Sequence, residues 1–421
     1  MVALAVMILC AGLLIHAYAG YPLSLWIMAA LRRAVHPGPA PTVASKMVNL
    51  PGANSQPQIE SHESEIQNRL PPVSIVFSVY NEAAVLKDKL NNCRELDYPR
   101  DRLEVVVASD GSEDGSDDIL RRFENRGVRW FRQEPRQGKN AALNRLAPEL
   151  KGEIWVFTDA NAMFEPDAVR RLVAHFADPQ VGSVSGELAY GHPAERQSAR
   201  QKTVGGVEAV FWRFDQALRR LESRLGCLTG ANGGIFALRR TEWRELDPGV
   251  PNDFILCALA AAGGARTVYD PAARAWEAPS ERVRQEFDRR VRIITRGLRA
   301  LALAWKPAWR GRRFMLLYGM ICRKWLRRLQ PALLMGLLIP NLFLLTEGWG
   351  RWLLGLQAAG YAAGLASGLA WRIGTRSKAA LLPFYFLALN AAAVVALWRF
   401  ALGRTAVAWN VQRVDPSQAD G

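Results

Sequence analysis

Long apolar stretches bracket a chain whose middle alternates short apolar runs with helix-spaced ones. Val2–Ala30 carries no charge and ends at Arg32-Arg33, and Leu329–Thr346, Trp352–Trp371 and Ala379–Trp398 follow near the other end. About 20 consecutive apolar residues in a helix cross the hydrocarbon of a bilayer. The pattern therefore predicts one spanning helix before the middle region and three after it. Trp349, Trp352, Trp371 and Trp398 stand at the ends of the last two, as interfacial aromatics do. A cleaved signal peptide competes for the first stretch, because Ala17-Tyr18-Ala19 resembles a cleavage site. The missing basic n-region and the apolar continuation to Leu31 argue for the helix.

Residues 34–72 hold seven prolines among Ser, Asn, Gln and Glu without periodicity, which reads as a linker. From Val73 the pattern changes. "VSIVFSVY", "LEVVVAS" and "EIWVFTD" read as strands, and 83–95, 116–126 and 140–150 carry helix-spaced apolar residues between them. Strand–helix repeats of that length build a parallel, Rossmann-like α/β sheet covered on both faces. The predicted organisation is a spanning helix over 1–31, a linker over 32–71 and an α/β catalytic domain over 72–305. A basic interfacial segment follows over 306–328, then three spanning helices over 329–402 and a tail over 403–421.

Such sheets bind ligands at the carboxyl ends of their strands. The first run ends on Tyr80-Asn81-Glu82, the second on Ser109-Asp110-Gly111 and the acidic turn through Ser116, the third on Thr158-Asp159-Ala160-Asn161. Asp114 or Ser116 alone reads equally well as a helix N-cap. Three polar strand ends in one sheet converge on a crevice. Asp159 and Asn161 offer two oxygen ligands across a tight turn, the hard donors that Mg²⁺ and Mn²⁺ take together with substrate phosphates. Lys139 follows Gly138 at a helix start, where a phosphate gains from both the helix N-terminus and the ammonium.

Charge and cysteines narrow the class. The 421 residues carry a formal charge of +15, which points to phosphorylated small molecules or an anionic membrane face. No Lys/Arg block is interleaved with aromatics, so nucleic acid is not expected as a partner. Cys10, Cys93, Cys227, Cys257 and Cys322 are scattered without Cys-x-x-Cys spacing, which predicts reduced thiols rather than disulfides or zinc. Residues 281–301 form a basic amphipathic pattern suited to the donor diphosphate, to anionic lipid, or to packing on the enzyme. Arg312-Arg313 and Arg323–Arg328 ("RKWLRR") read as an interfacial element.

The ordered set "VSIVFSVYNE", "VVVASDGSEDGS", "RQGKNAALN", "WVFTDAN", "TGANGGIFALRR" and "PNDF" resembles the family-2 glycosyltransferases of GT-A fold. The likeness is greatest to the membrane synthases of cellulose, hyaluronan and poly-N-acetylglucosamine. It implies a nucleotide-sugar donor, usually a UDP-sugar, transfer with inversion, and a glycan or lipid acceptor, with export or accessory membrane proteins as possible partners. By that resemblance Tyr80, Glu82 and Asp110 hold the nucleoside, Lys139 the diphosphate and Asp159 the metal with Asn161 beside it. Asp253 matches the catalytic base; Asn252 stands where the family has Glu. Gly230, Ala231 and Asn232 lie near the acceptor, and Arg289 and Arg292 match the family's Gln/Arg-x-x-Arg-Trp. Ile293 replaces the Trp usual in processive synthases, so elongation is less expected than transfer itself.

The expectation is a multi-pass enzyme of the plasma or inner membrane with its catalytic domain in the cytoplasm, where nucleotide sugars are. The leading reading is synthesis of a growing polysaccharide; the alternative is transfer of one sugar to a lipid. Nucleotidyl transfer would use Asp159 but leaves Asp253 unexplained. A degenerate nucleotide-binding protein is suggested only by Asn161 and Asn252.

Overall fold

A computed structural model describes residues 1–35, 70–191, 206–278, 283–373 and 381–404. Most of the expected linker, residues 374–380 and the tail from 405 lie outside the described residues. Helices α1 (Val2–Ile15) and α2 (Tyr21–Val35) run on through a π turn, His16–Gly20, as one rod. Its 34 residues extend about 51 Å at 1.5 Å per residue, well beyond the ~30 Å hydrocarbon layer. The surplus docks on the globular domain: Tyr21 and Leu25 are buried against Leu218 and Cys322.

The domain is an eight-stranded sheet of β1 (Val73–Val79), β2 (Leu103–Ser109), β3 (Val128–Arg132), β4 (Ile154–Thr158), β5 (Met163–Phe164), β6 (Val181–Tyr190), β7 (Ile235–Arg239) and β8 (Arg266–Glu277), in the order β3-β2-β1-β4-β7-β6-β8-β5. The β3-β2-β1-β4 half is parallel throughout, in register from Val73 opposite both Leu103 and Ile154. Beyond β4 the sheet turns mixed, since β7 runs antiparallel to both β4 and β6 while β6 and β8 are parallel. The three strands read from the sequence are present, and the sheet is α/β and mostly parallel as expected.

Strand alternation explains the two cores. Val76, Val106, Trp155 and Phe157 face one side, and Ile75, Phe77, Val107 and Val156 the other, as period-2 geometry requires. The second face is covered by α3 (Ala83–Arg94), α4 (Ser116–Glu124) and α6 (Ala168–Ala174). The first is covered by α5 (Lys139–Leu146) and α8 (Asn252–Gly263), with α7 (Gly206–Arg224) at the side that meets α2. Asp114 accepts from the backbone of Ser116 at 3.1 Å and of Ala83 at 2.8 Å, so it ties the start of α4, whose N-cap is Gly115, to the start of α3.

The basic stretch 281–301 opens α9 (Val283–Arg310). It packs on the enzyme: Ala300, Leu301 and Ala304 join the core under α8. Val291 meets Ala392 and Ala396 of the last helix, beside Phe287 and Ile294. "RKWLRR" departs from the interfacial expectation. It follows α10 (Phe314–Gly319) in a π turn, Met320–Trp325. There Arg323 is buried between Glu222 and Asp215, 2.6 and 2.7 Å away.

The first of the three expected C-terminal spans is also shorter than its apolar stretch. α11 (Gln330–Leu342) has 13 residues, about 20 Å, too short alone for the hydrocarbon layer. α12 (Gly348–Arg372) and α13 (Leu382–Ala401) are long enough. With the N-terminal rod they make three candidate spans among the described residues.

Candidate active site

Five of the expected residues, Tyr80, Glu82, Asp110, Asp159 and Asn161, follow the ends of β1, β2 and β4 because the parallel register delivers those ends side by side. Tyr80 follows β1, with the Arg136 guanidinium 3.4 Å over its ring. Asn81 takes a left-handed turn, φ 53°, and its amide oxygen accepts from Glu113 N–H at 2.9 Å, joining the β1 and β2 loops. Glu82, at the N-cap of α3, is buried and donates its backbone N–H to Ser116 Oγ at 3.0 Å. Asp110 is 3% exposed. Its carboxylate accepts from Gln133 Nε2 at 2.7 Å and from the N–H groups of Gln137 and Gly138 at 2.9 Å, so it clamps the loop that leads to Lys139.

Gly138, at φ 94°, turns that loop into α5 and sends Lys139 across the crevice. Its Nζ lies 2.5 Å from Asp159 Oδ1. Asn161 donates its amide to Glu277 Oε1, so what it can offer a cation is its carbonyl oxygen. Beneath the turn lies Lys89, fully buried on α3. Its ammonium donates to Thr158 Oγ1 at 3.0 Å and to the Ala162 carbonyl, and sits 4.0 Å over the Phe164 ring. Thr158 passes the link on to Gly234 O at 2.9 Å.

Asp253, in the first turn of α8, arrives from the other side. A Cβ built on Gly233 would stand 3.5 Å from Asp253 Oδ2 and 3.9 Å from Asp159 Oδ2. The two carboxylates thus face one space that exists because residue 233 has no side chain. Burial pushes the Asp253 carboxyl above the ordinary carboxylate range, with Asp159 adding to the rise. The ammoniums of Lys139 and Lys324 and the N–H of Phe254 pull against it.

Gly230, Ala231 and Asn232 line the same side. Ala231 N–H donates to Asp253 O at 3.4 Å, while Asn232 spends its side-chain amide on Gly186 O at 2.6 Å. Arg289 and Arg292 lie on α9, one to two turns before the arginines that reach the Asp253 approach. Those are Arg296, which donates to Val250 O at 2.7 Å, and Arg299, which pairs with Asp247 at 2.7 Å.

The sequence reading passed over Lys89, Gly233, Arg296 and Lys324. Lys89 had a signal: with Leu86, Leu90 and Cys93 it occupies the buried stripe of α3, an odd place for a lysine. Lys324 had none. It comes from the π turn, 5.1 Å over the Phe254 ring, and burial pushes its ammonium down to about 7.

The donors fit a divalent ion that takes most of its shell from phosphates and water: one carboxylate, Asp159, and one carbonyl, Asn161. Among the described residues no three His, Cys, Asp or Glu side chains gather at ligand spacing.

The model of the family Glycosyl transferase family 2 matches residues 74–245. The probable glycosyltransferase YdaM of Bacillus subtilis is 28% identical over 227 residues, 52% of this chain and 53% of that protein. A beta-monoglucosyldiacylglycerol synthase of Nostoc sp. is 32% identical over 138 residues, 32% of this chain and 30% of its own. The chain thus spans about half or less of the length of these curated relatives. Among solved structures, the mannosyltransferase PcManGT from Pyrobaculum calidifontis, in complex with GDP-Man and Mn²⁺, superposes with a TM-score of 0.63. It is 22% identical and covers 95% of this chain and 99% of its own. The fold is therefore of the GT-A kind.

Proposed function

Starting from a chain whose residues 74–245 form a glycosyl transferase family 2 domain, we propose that this protein is an inverting, divalent-metal-dependent glycosyltransferase. It moves a sugar from a nucleotide sugar, a UDP-sugar first among candidates, to a lipid-borne acceptor at the membrane. One observation carries the reading: Asp253 and Asp159 both face the space above Gly233, and Lys139 reaches the same space from the phosphate-suited start of α5.

In the reaction the acceptor oxygen forms a bond to the anomeric carbon as the bond from that carbon to the diphosphate breaks. The electron pair leaves with the diphosphate and the acceptor proton goes to the Asp253 carboxylate. A single displacement of this kind inverts the anomeric centre. The raised proton affinity of Asp253 suits a base that must take a hydroxyl proton near neutral pH. Lys139 and Lys324 oppose that rise. Lys139 meets the leaving diphosphate, while Tyr80, Glu82 and Asp110 frame the nucleoside end. Asp159 and the Asn161 carbonyl would hold Mg²⁺ or Mn²⁺, which supplies charge neutralisation for the leaving group.

The lipid acceptor is favoured by a shallow, open apolar surface formed by Leu301, Ala302, Trp305, Ile321 and Trp325. A relative named as a beta-monoglucosyldiacylglycerol synthase agrees with it. Elongation of a polysaccharide is the second reading, favoured by the motif likeness to polysaccharide synthases. Ile293, where such synthases have Trp, is 44% exposed and leaves no aromatic platform there. We place the enzyme in the plasma or inner membrane as a multi-pass protein. Its catalytic domain lies on the cytoplasmic side, the side of Arg32-Arg33 and of the nucleotide sugars.

The test is nucleotide release from a panel of UDP- and GDP-sugars by the full chain in lipid nanodiscs, with Mn²⁺ or Mg²⁺ and lipid extract as acceptor. Metal-dependent release from one donor, lost in Asp253→Asn and Asp159→Ala, is expected. Product length separates one sugar from a polymer. Failure to bind any nucleotide would overturn the assignment.

A further inference from the structure

The loop Cys227–Gly233 sets the acceptor side of the site, and its glycines leave it soft on its own. Its shape comes from a buried network that begins far away. Tyr21, 1% exposed on the N-terminal rod, donates its hydroxyl to Glu222 Oε1 at 2.7 Å. Glu222, 1% exposed, accepts on Oε2 from the Thr229 backbone N–H at 3.0 Å and from Arg323 Nη1 at 2.6 Å. Arg323 Nη2 reaches Asp215 Oδ1 at 2.7 Å, Asp215 Oδ2 takes Arg219 Nε at 2.8 Å, and Arg219 Nη1 donates to Gly230 O at 3.1 Å. Two arms of one network therefore grip the loop, at Thr229 N–H and at Gly230 O. The next residue, Ala231, donates to the backbone of Asp253.

Gly319 lets the three parts meet. A Cβ there would lie 2.6 Å from Thr229 Oγ1 and 3.1 Å from Tyr21 Oη, so any side chain would push the π turn, the rod and the loop apart. Anchoring alone would not need this chemistry, because Leu25, Leu218 and Cys322 already supply an apolar seat. A buried ion pair adds little net stability while fixing geometry closely, since loss of one partner strands the other.

We propose that Tyr21, Glu222 and Arg323 are positioning residues, through which the N-terminal rod and the post-catalytic π turn hold the 227–233 loop in place against Asp253. The rod is thus part of the catalytic unit as well as a membrane element. The effect on turnover rests on the transferase reading; the structural coupling does not.

The experiment compares wild type, Tyr21→Phe and Gly319→Ala as full-length protein in nanodiscs. Amide hydrogen exchange is read over 226–234 and over 103–138, beside kcat and the dissociation constant of the donor nucleotide. Tyr21→Phe is expected to speed exchange over 226–234 about tenfold, the worth of one buried hydrogen bond. Exchange over 103–138 should not change. kcat should fall by a similar factor while nucleotide affinity holds. Gly319→Ala keeps every hydrogen-bonding group and must reproduce the faster loop exchange. Wild-type loop exchange in either variant overturns the proposal. So does faster exchange with wild-type kcat, or an equal loss of nucleotide affinity that marks general damage. A wild-type protein that turns over no donor would sink the transferase reading instead, and the exchange data would still decide the coupling.

Discussion

Gly233→Ala should separate folding from catalysis. The added methyl would find Asp253 Oδ2 at 3.5 Å, Asp253 Cγ at 3.6 Å and Asp159 Oδ2 at 3.9 Å, all ordinary contact distances. Gly233 does not adopt the positive φ that alanine resists. Replacing glycine at such a position narrows the unfolded ensemble, worth about 0.4–1 kcal/mol, offset in part by crowding two carboxylates. The melting temperature should therefore hold or rise slightly. The same methyl stands in the space both carboxylates face, where the proposed reaction brings the anomeric carbon and acceptor oxygen together. Displacing reacting atoms by about 1 Å costs on the order of 100-fold, or about 2.7 kcal/mol at 1.36 kcal/mol per factor of ten. Nucleotide release and thermal melting, measured on the same nanodisc preparation, read both quantities. A variant within about threefold of wild-type kcat/KM would refute the placement of the reaction above Gly233.

Asp253→Asn should cut turnover by about 10²–10⁴, the usual share of a general base, with nucleotide binding by titration calorimetry unchanged; lost binding would remove Asp253 from the base role. Lys89→Met removes the ammonium under Thr158 and Ala162. Relief of a buried charge offsets the lost bonds, so stability should move by no more than about 2 kcal/mol. The Mn²⁺ concentration for half-maximal nucleotide release should rise about tenfold as the Asp159 turn loosens, and an unchanged midpoint would show that Lys89 only fills space. Lys324 gives a pH signature. Its folded pKa of about 7 lies below its ordinary value of 10.5, so between those limits the unfolded chain binds the extra proton. Stability from this group therefore rises with pH across that window and is flat below it. Melting temperatures from pH 7 to 10 should climb less steeply in Lys324→Met, and parallel slopes would contradict the lowered pKa of Lys324.

Strand periodicity and the polar strand ends made half of the candidate site legible. β1, β2 and β4 were readable because a run such as Val73–Val79 is buried on both faces. A parallel register then brings Tyr80, Asp110 and Asp159 to one edge whatever else the chain does. The resemblance added Asp253, which no local pattern singles out from an ordinary first-turn acid. Length and hydropathy marked the long helices, though not the stop of α11 at Leu342, where Pro340 and the turns after it end a stretch that composition alone continues.

What the tertiary structure decided is what lies between residues far apart in the chain. No periodicity relates Tyr21 to Glu222 and Arg323, or Lys324 to Asp253, because hydrogen bonds across 201 and 101 residues leave no trace in local spacing. "RKWLRR" reads as an interfacial element on charge alone, yet Arg323 goes inside, where Glu222 and Asp215 pair with it. Sequence pattern determines which face of an element is buried; the packing of elements decides which charges meet in the dark, and here those charges bind the backbone of Thr229 and Gly230.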